Sequence, residues 1–167
     1  MNCLTNDLNN IKAVINNFLF PFELECDFAE DFGYYPIHNL ISISLITIDR
    51  SSKNFLSFVN KEFKEVKADI FLWSLLHEIG HHETWDLLTD NELELSAALK
   101  EAITNNENIT DNGRDLIYFY TPDEYAATEW AANYMIENSQ EIKEFWEKLQ
   151  PLILDIYNKY NIERDEK

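Results

Sequence analysis

Ala68-Asp69-Ile70-Phe71-Leu72-Trp73-Ser74-Leu75-Leu76-His77-Glu78-Ile79-Gly80-His81-His82-Glu83-Thr84-Trp85 is the stretch on which the reading of this chain turns. Apolar residues at 70 to 73, 75, 76 and 79 predict a strongly apolar, buried helix from about Ala68 to Trp85. Two histidines and a glutamate are costly to bury in such a setting unless something pairs them. Residues four apart differ by about 40° around a helix axis, so the imidazoles of His77 and His81 point the same way and can grip one cation. Glu78 follows His77, near enough to reach water on that cation without ligating it. His82 points about 100° away from His81 and does not share the grip. The competing reading is a hydrogen-bonded histidine pair on a partly exposed face.

Outside this stretch the pattern is mostly helical. Leu4, Leu8, Ile11, Val14, Ile15, Phe18 and Leu19 are spaced for a first amphipathic helix that Pro21 ends. Phe22, Leu24, Cys26 and Phe28 then alternate with acidic residues, and Ile41, Ile43 and Leu45 alternate with serines. This period of two predicts two strands, antiparallel neighbours, joined by the aromatic loop Asp31-Phe32-Gly33-Tyr34-Tyr35-Pro36. Helical spacing returns after Ser51-Ser52 with Phe55, Phe58, Val59, Phe63 and Val66. Thr89-x-x-Glu92 reads as a capping box opening a helix that ends near Asn105. The polar segment Asn106 to Gly113 reads as a loop, and Leu116 to Tyr120 is an apolar run of ambiguous type. In Thr121-Pro122-Asp123-Glu124, Thr121 is expected as N-cap, Pro122 at the first helical position and Glu124 as the residue that closes a second capping box. A last helix is expected over 139–160, with Ile142, Phe145, Trp146, Leu149, Ile153, Ile156, Tyr157 and Tyr160 on its apolar face. The expected fold class is α+β, a mostly helical domain with a small antiparallel sheet. One domain is expected over 1–167, with a metal-binding core at 68–133 and a C-terminal helix at 139–160.

Composition narrows the function. The chain has 167 residues, 46% of them hydrophobic and 14% aromatic, enough apolar surface to fold as a globular protein. Lys+Arg number 13 against 31 Asp+Glu, a formal net charge of −18, which repels phosphate backbones and anionic membrane surfaces. Direct nucleic-acid binding and membrane association are therefore not expected. The longest apolar runs, such as Ile70 to Trp73, are far shorter than a bilayer span. Met1-Asn2-Cys3-Leu4-Thr5-Asn6-Asp7 lacks the basic region and apolar core of a secretory signal, so a cytoplasmic location is expected, with Cys3 and Cys26 as reduced thiols. With three glycines in all there is no Gly-rich phosphate cradle.

A catalytic zinc site needs three protein ligands and a water, so two imidazoles are not enough. His38, in or near the aromatic loop, is one candidate, although lone loop histidines are usually surface groups. The helix after Pro122 holds two glutamates, Glu124 and Glu129. Glu124 already has a role in the capping box. Glu129 sits mid-helix among Ala126, Ala127, Trp130, Ala131 and Ala132, small residues that allow close helix packing, and is the expected third ligand. Asn133, four residues on, shares its face and is expected to accept the outer ring N–H of one imidazole. Glu129 and Asn133 as parts of a solvated stripe is the competing reading.

His77-Glu78-x-x-His81 is a zinc-peptidase signature. Followed by Glu129-x-x-Ala132-Asn133, it resembles the gluzincin pattern, and most closely the ImmA/IrrE family of phage- and mobile-element-associated metallopeptidases. The similarity covers roughly residues 68–133. Ala131 stands where that family often has an acidic residue, and the helix from Thr89 to Asn105 lengthens the interval between the two motifs. The resemblance implies a zincin-like fold, Zn2+ bound by His77, His81 and Glu129, and Glu78 as catalytic base. It also implies cleavage of a particular intracellular protein, with helix-turn-helix repressors as the precedent. The charge of −18 suits a basic target such as a DNA-binding regulator. An extended substrate could add to the strand around Ile41 to Ile48 if it lies at a sheet edge. Tyr118, Tyr120, Tyr125 and His38 are all conceivable donors to transition-state charge. The alternative from another class is a non-catalytic interaction module with a structural or sensory zinc site.

Overall fold

The first helix, α1 (Asn2–Leu19), stops where the sequence says it should: Pro21 lies inside a short 3-10 turn, Phe20–Phe22, and Glu23 closes the turn at φ 56 with its N–H on the Phe20 carbonyl. The computed structural model describes residues 2–45, 57–63, 66 and 68–160. They fall into two units, Met1–Ile48 with Asn138–Lys167, and Asp49–Glu137. The expected 139–160 helix belongs to the first unit and the 68–133 core to the second.

In the first unit α1 is followed by β1 (Glu25–Phe28), β2 (Gly33–Tyr35), a 3-10 turn at Pro36–His38 and β3 (Leu40–Ile43), and the unit closes with a helix over Ser139–Tyr160. The strand order is β1-β3-β2. β3 pairs antiparallel with β2, Tyr34 opposite Ile41, and parallel with β1, Cys26 opposite Ile41. The two expected strands are thus parallel, and the sheet is mixed. The reason lies in the aromatic loop, which carries a strand of its own. The chain reverses once into β2 and again at Asn39, whose φ of 47 suits the left-handed turn asparagine tolerates, so β1 and β3 run the same way. β3 is therefore the middle strand, paired on both sides, so the edge position on which substrate addition at Ile41 to Ile48 depends is not met in β3; residues 46–48 lie outside the described residues. Ser42 fits this interior place because its hydroxyl donates to the Asp31 carbonyl at 2.8 Å. Cys26 is a buried free thiol, while the side chain of Cys3 lies outside what is described.

In the second unit residues 57–62 form α2, followed by α3 (Ile70–Trp85), α4 (Asp90–Asn105), α5 (Asp111–Phe119) and α6 (Pro122–Glu137); the helix over Ser139–Tyr160 is then α7. Phe55, part of the expected helical face there, lies outside the described residues. Asp69 caps α3 by accepting the Phe71 N–H at 2.9 Å. Thr89 and Glu92 form the expected capping box of α4. Part of the expected 106–113 loop is helical instead, because Thr110 accepts the Gly113 N–H at 3.2 Å and starts α5, whose second half is the ambiguous apolar run. Arg114 on α5 reaches back to the carbonyls of Ile103 and Asn106, acceptors at the end of α4, and to that of Ile109 in the loop between. The whole is α+β and mostly helical, as the sequence pattern implies.

Candidate metal centre

The site is built where α3 and α6 meet. On α3, Phe71, Leu72, Leu75, Leu76 and Ile79 are buried, and His77 lies among them with 8% of its surface exposed. Gly80 sets how close α6 can come: a Cβ added there would stand 2.3 Å from the Ala127 carbonyl oxygen and 3.0 Å from its Cα. Only a glycine lets the two backbones touch in this way. On α6 the residues turned inward are Asp123, Glu124, Ala127, Thr128, Ala131 and Ala132, spaced three and four apart as one helix face must be.

That phase decides which carboxylate arrives. Glu124 lies on the buried face, in line with Ala127, Thr128 and Ala131, and is 4% exposed. Its Oε2 stands 3.1 Å from His77 Nε2 and 3.4 Å from His81 Nε2. The two imidazoles meet edge to face, ring centroids 4.7 Å apart. One ligand atom from each of His77, His81 and Glu124 lies within 4.8 Å of the others, a cluster able to hold a metal ion. Among the described residues this is the group of histidine, cysteine and acidic side chains so placed.

Glu129, expected in this position, is corrected by the fold. It follows Glu124 by five residues, which turns it about 140° around the axis, and it is exposed. Asn133 shares that outer face and is exposed too, so neither reaches the histidines. The contact expected of Asn133 is made by the buried Thr128, whose hydroxyl lies 3.3 Å from His77 Nδ1, a place from which it can orient the ring. The second capping box does not form. The Thr121 N–H donates to the Tyr118 carbonyl at 3.0 Å and the Thr121 hydroxyl bonds Tyr118 and Asp123, which frees the Glu124 side chain to turn inward. His82 lies 3.9 Å from Glu83, outside the cluster, and His38 is exposed in its 3-10 turn in the other unit.

Further residues surround Glu124, among them Tyr118, whose phenol bonds its carboxylate. Lys100 of α4 places Nζ 2.6 Å from Glu124 Oε1 and 2.6 Å from Asp123 Oδ2, and the Asp123 N–H donates to Ser96 Oγ at 3.2 Å. The sequence does hold signals for these partners. Ser96, Lys100 and Ile103 share one stripe of α4, and a lysine in a stripe that is otherwise buried needs an anion; likewise the small residues of α6 run in phase with Glu124, not with Glu129.

Burial works against the Glu124 carboxylate, but hydrogen bonds from His77 and His81 outweigh it and hold the group well below its ordinary range. For His81, burial disfavours the cation, and the Glu124 and Glu78 carboxylates more than offset that, raising the imidazole. The charge of Glu78, one residue round the helix from His77, thus reaches His81. Desolvation and the nearby Glu124, Glu78 and Asp123 carboxylates push the Tyr118 phenol far up, so it stays protonated. Tyr120 bonds Glu62 and stacks on Tyr125, ring centroids 5.8 Å apart.

No known family model, curated protein or solved structure matches this chain.

Proposed function

We propose that the chain is a zinc-dependent endopeptidase that cuts a specific intracellular protein. The observation that carries this reading is the convergence within 4.8 Å of Glu124 from α6 with His77 and His81 from α3, the helix in which Glu78 follows His77. The donor set fits the ion: two imidazoles and one carboxylate are a three-residue set of catalytic zinc, whereas structural sites close the ion with four protein ligands. Further support is the resemblance of the His77 to His81 motif to the ImmA/IrrE pattern, with Glu124 taking the part that the motif spacing gives to Glu129.

Zinc in such a site supplies Lewis acidity, making water acidic near pH 7 and polarising a carbonyl. The chain supplies the rest. Glu78 accepts the proton of the attacking water on its carboxylate and passes it to the leaving amine. Thr128 fixes the ring of His77 from its outer nitrogen. Tyr118, a phenol that bonds the Glu124 carboxylate and stays protonated, would have to exchange that bond to donate to the charge that develops on the substrate oxygen. The net charge of −18 favours a basic substrate such as a DNA-binding regulator, whose association would slow as salt screens the attraction.

The test is metal analysis followed by incubation with basic DNA-binding regulators, with and without chelator. Glu78→Gln is expected to keep zinc and lose roughly 100- to 10,000-fold in turnover. Glu124→Gln is expected to lose zinc while Glu129→Gln keeps it. Full activity in the Glu78 variant, or zinc lost with Glu129 and kept without Glu124, would overturn these roles. Stoichiometric zinc with no cleavage of any such protein would assign the site to a structural or sensory task instead.

A further inference from the structure

Lys100 is not called for by the chemistry above, yet it is among the most closely held side chains of the second unit. It projects from α4 with its side chain 30% exposed, and its ammonium lies 2.6 Å from Glu124 Oε1, 2.6 Å from Asp123 Oδ2 and 4.8 Å from the centroid of the Tyr118 ring. The other oxygen of the same carboxylate, Oε2, is the one that faces His77 and His81. The two oxygens of Glu124 are thus divided between two cation positions.

That division bears on coordination. A carboxylate can give a cation one oxygen or two, and both forms occur with oxygen-seeking ions. If Glu124 gave both, the protein would supply four donor atoms instead of three, and the position a hydrolytic site keeps for water or substrate would be filled. We infer that Lys100 is a positioning residue that reserves Glu124 Oε1, restricting the carboxylate to a single donor oxygen and making the centre selective for a four-coordinate ion. The inference rests on the metal-site reading of His77, His81 and Glu124.

The surrounding groups are arranged for this task. Asp123 balances the ammonium, so the pair adds no net charge beside the ion. It is itself held by the Thr121 hydroxyl at 2.9 Å, while its backbone N–H sits on Ser96. Lys100 comes from α4, the helix that lengthens the interval between the two motifs, which gives that segment a role at the centre.

The experiment loads the full chain with Co2+ and records its visible spectrum, whose bands are intense for four-coordinate and weak for five- or six-coordinate ions; competition then gives the ratio of Zn2+ to Mn2+ affinity. The wild-type chain should show intense bands and a strong preference for Zn2+. Lys100→Met should weaken the bands and lower the Zn2+ to Mn2+ ratio by about tenfold or more, within the range that outer partners of metal ligands command. Lys100→Arg, which keeps a donor for Oε1, should retain the wild-type spectrum. Because Lys100→Met alone strands the Asp123 carboxylate and can cost folding, Lys100→Met with Asp123→Asn removes both charges and should show the same loss of band intensity. An unchanged spectrum and ratio in either folded variant overturns the inference and leaves the metal site standing. A wild-type chain that binds no cation overturns the metal site itself.

Discussion

The α1–α7 seam of the first unit and the α3–α6 seam of the second are both helix contacts, built from opposite materials. In the first, Ile11, Ile15 and Phe18 are buried on one helix and Phe145, Leu149 and Ile153 on the other, with the Phe18 and Phe145 rings stacked at 4.0 Å. In the second, Gly80 meets the backbone of Ala127, and Ala131 and Ala132 are fully buried. Large side chains hold helix axes apart and pack apolar volume between them, which stabilises the contact. Small residues bring the backbones together, so that polar groups from both helices meet in a poorly solvated space where their interactions are strong. The first seam makes structure; the second makes a site.

Phe145→Ala should have the largest effect and should touch structure alone. Removing a buried phenylalanine costs about 3–5 kcal/mol, measurable by urea unfolding, while the metal affinity of the molecules that remain folded stays at the wild-type value. A fall in that affinity would break the contrast between the seams.

Gly80→Ala should cost less stability, about 1–3 kcal/mol, and yet disturb the site more. The added Cβ would lie 2.3 Å from the Ala127 carbonyl, so α6 must retreat and carry Glu124 away from the histidines. Metal titration should show weakened binding by this folded variant. Wild-type affinity would mean that the closeness of the helices does not set the geometry of the donors.

The smallest effect is expected at the edge of the apolar seam, where Lys159 Nζ lies 2.7 Å from Asp7 and the Tyr160 hydroxyl 3.0 Å from it. The bond from Lys159 holds the Asp7 carboxyl below its ordinary value of 3.8. A depressed carboxyl contributes stability that is present above its unfolded value and lost as pH falls through the folded one. Asp7→Asn should therefore lower the thermal midpoint slightly at pH 7, less so in high salt, and the difference from wild type should vanish in strong acid. A difference that widened on acidification would reverse the sign, and any change in metal affinity would tie this edge to the other unit.

Much of the architecture is legible because it is local. Pro21 ends α1, the Thr89–Glu92 box starts α4, and the apolar period of α7 runs from Ser139 to Tyr160 as the pattern implies. Errors gather where a distant partner decides. Alternation identifies β1 and β3 but not their relative direction, which depends on the strand hidden in the loop between them. The segment from Thr110 reads as polar loop until Thr110 is seen to cap a helix. Thr121-Pro122-Asp123-Glu124 spells a capping box, yet the Thr121 N–H goes to Tyr118 and the Glu124 carboxylate goes to two histidines and a lysine.

That His77 and His81 face the same way with Glu78 next in the chain follows from residue order alone, because four residues on one helix return nearly to the same direction whatever surrounds them. The helical character of the chain and its heavy negative charge can be read there as well. Which carboxylate joins the imidazoles, and what holds it there, depends on how distant helices pack. The rotation of α6 about its own axis packs Ala127 against Gly80 and buries Thr128 and Ala131, and that rotation brings Glu124 inward and turns Glu129 to the solvent.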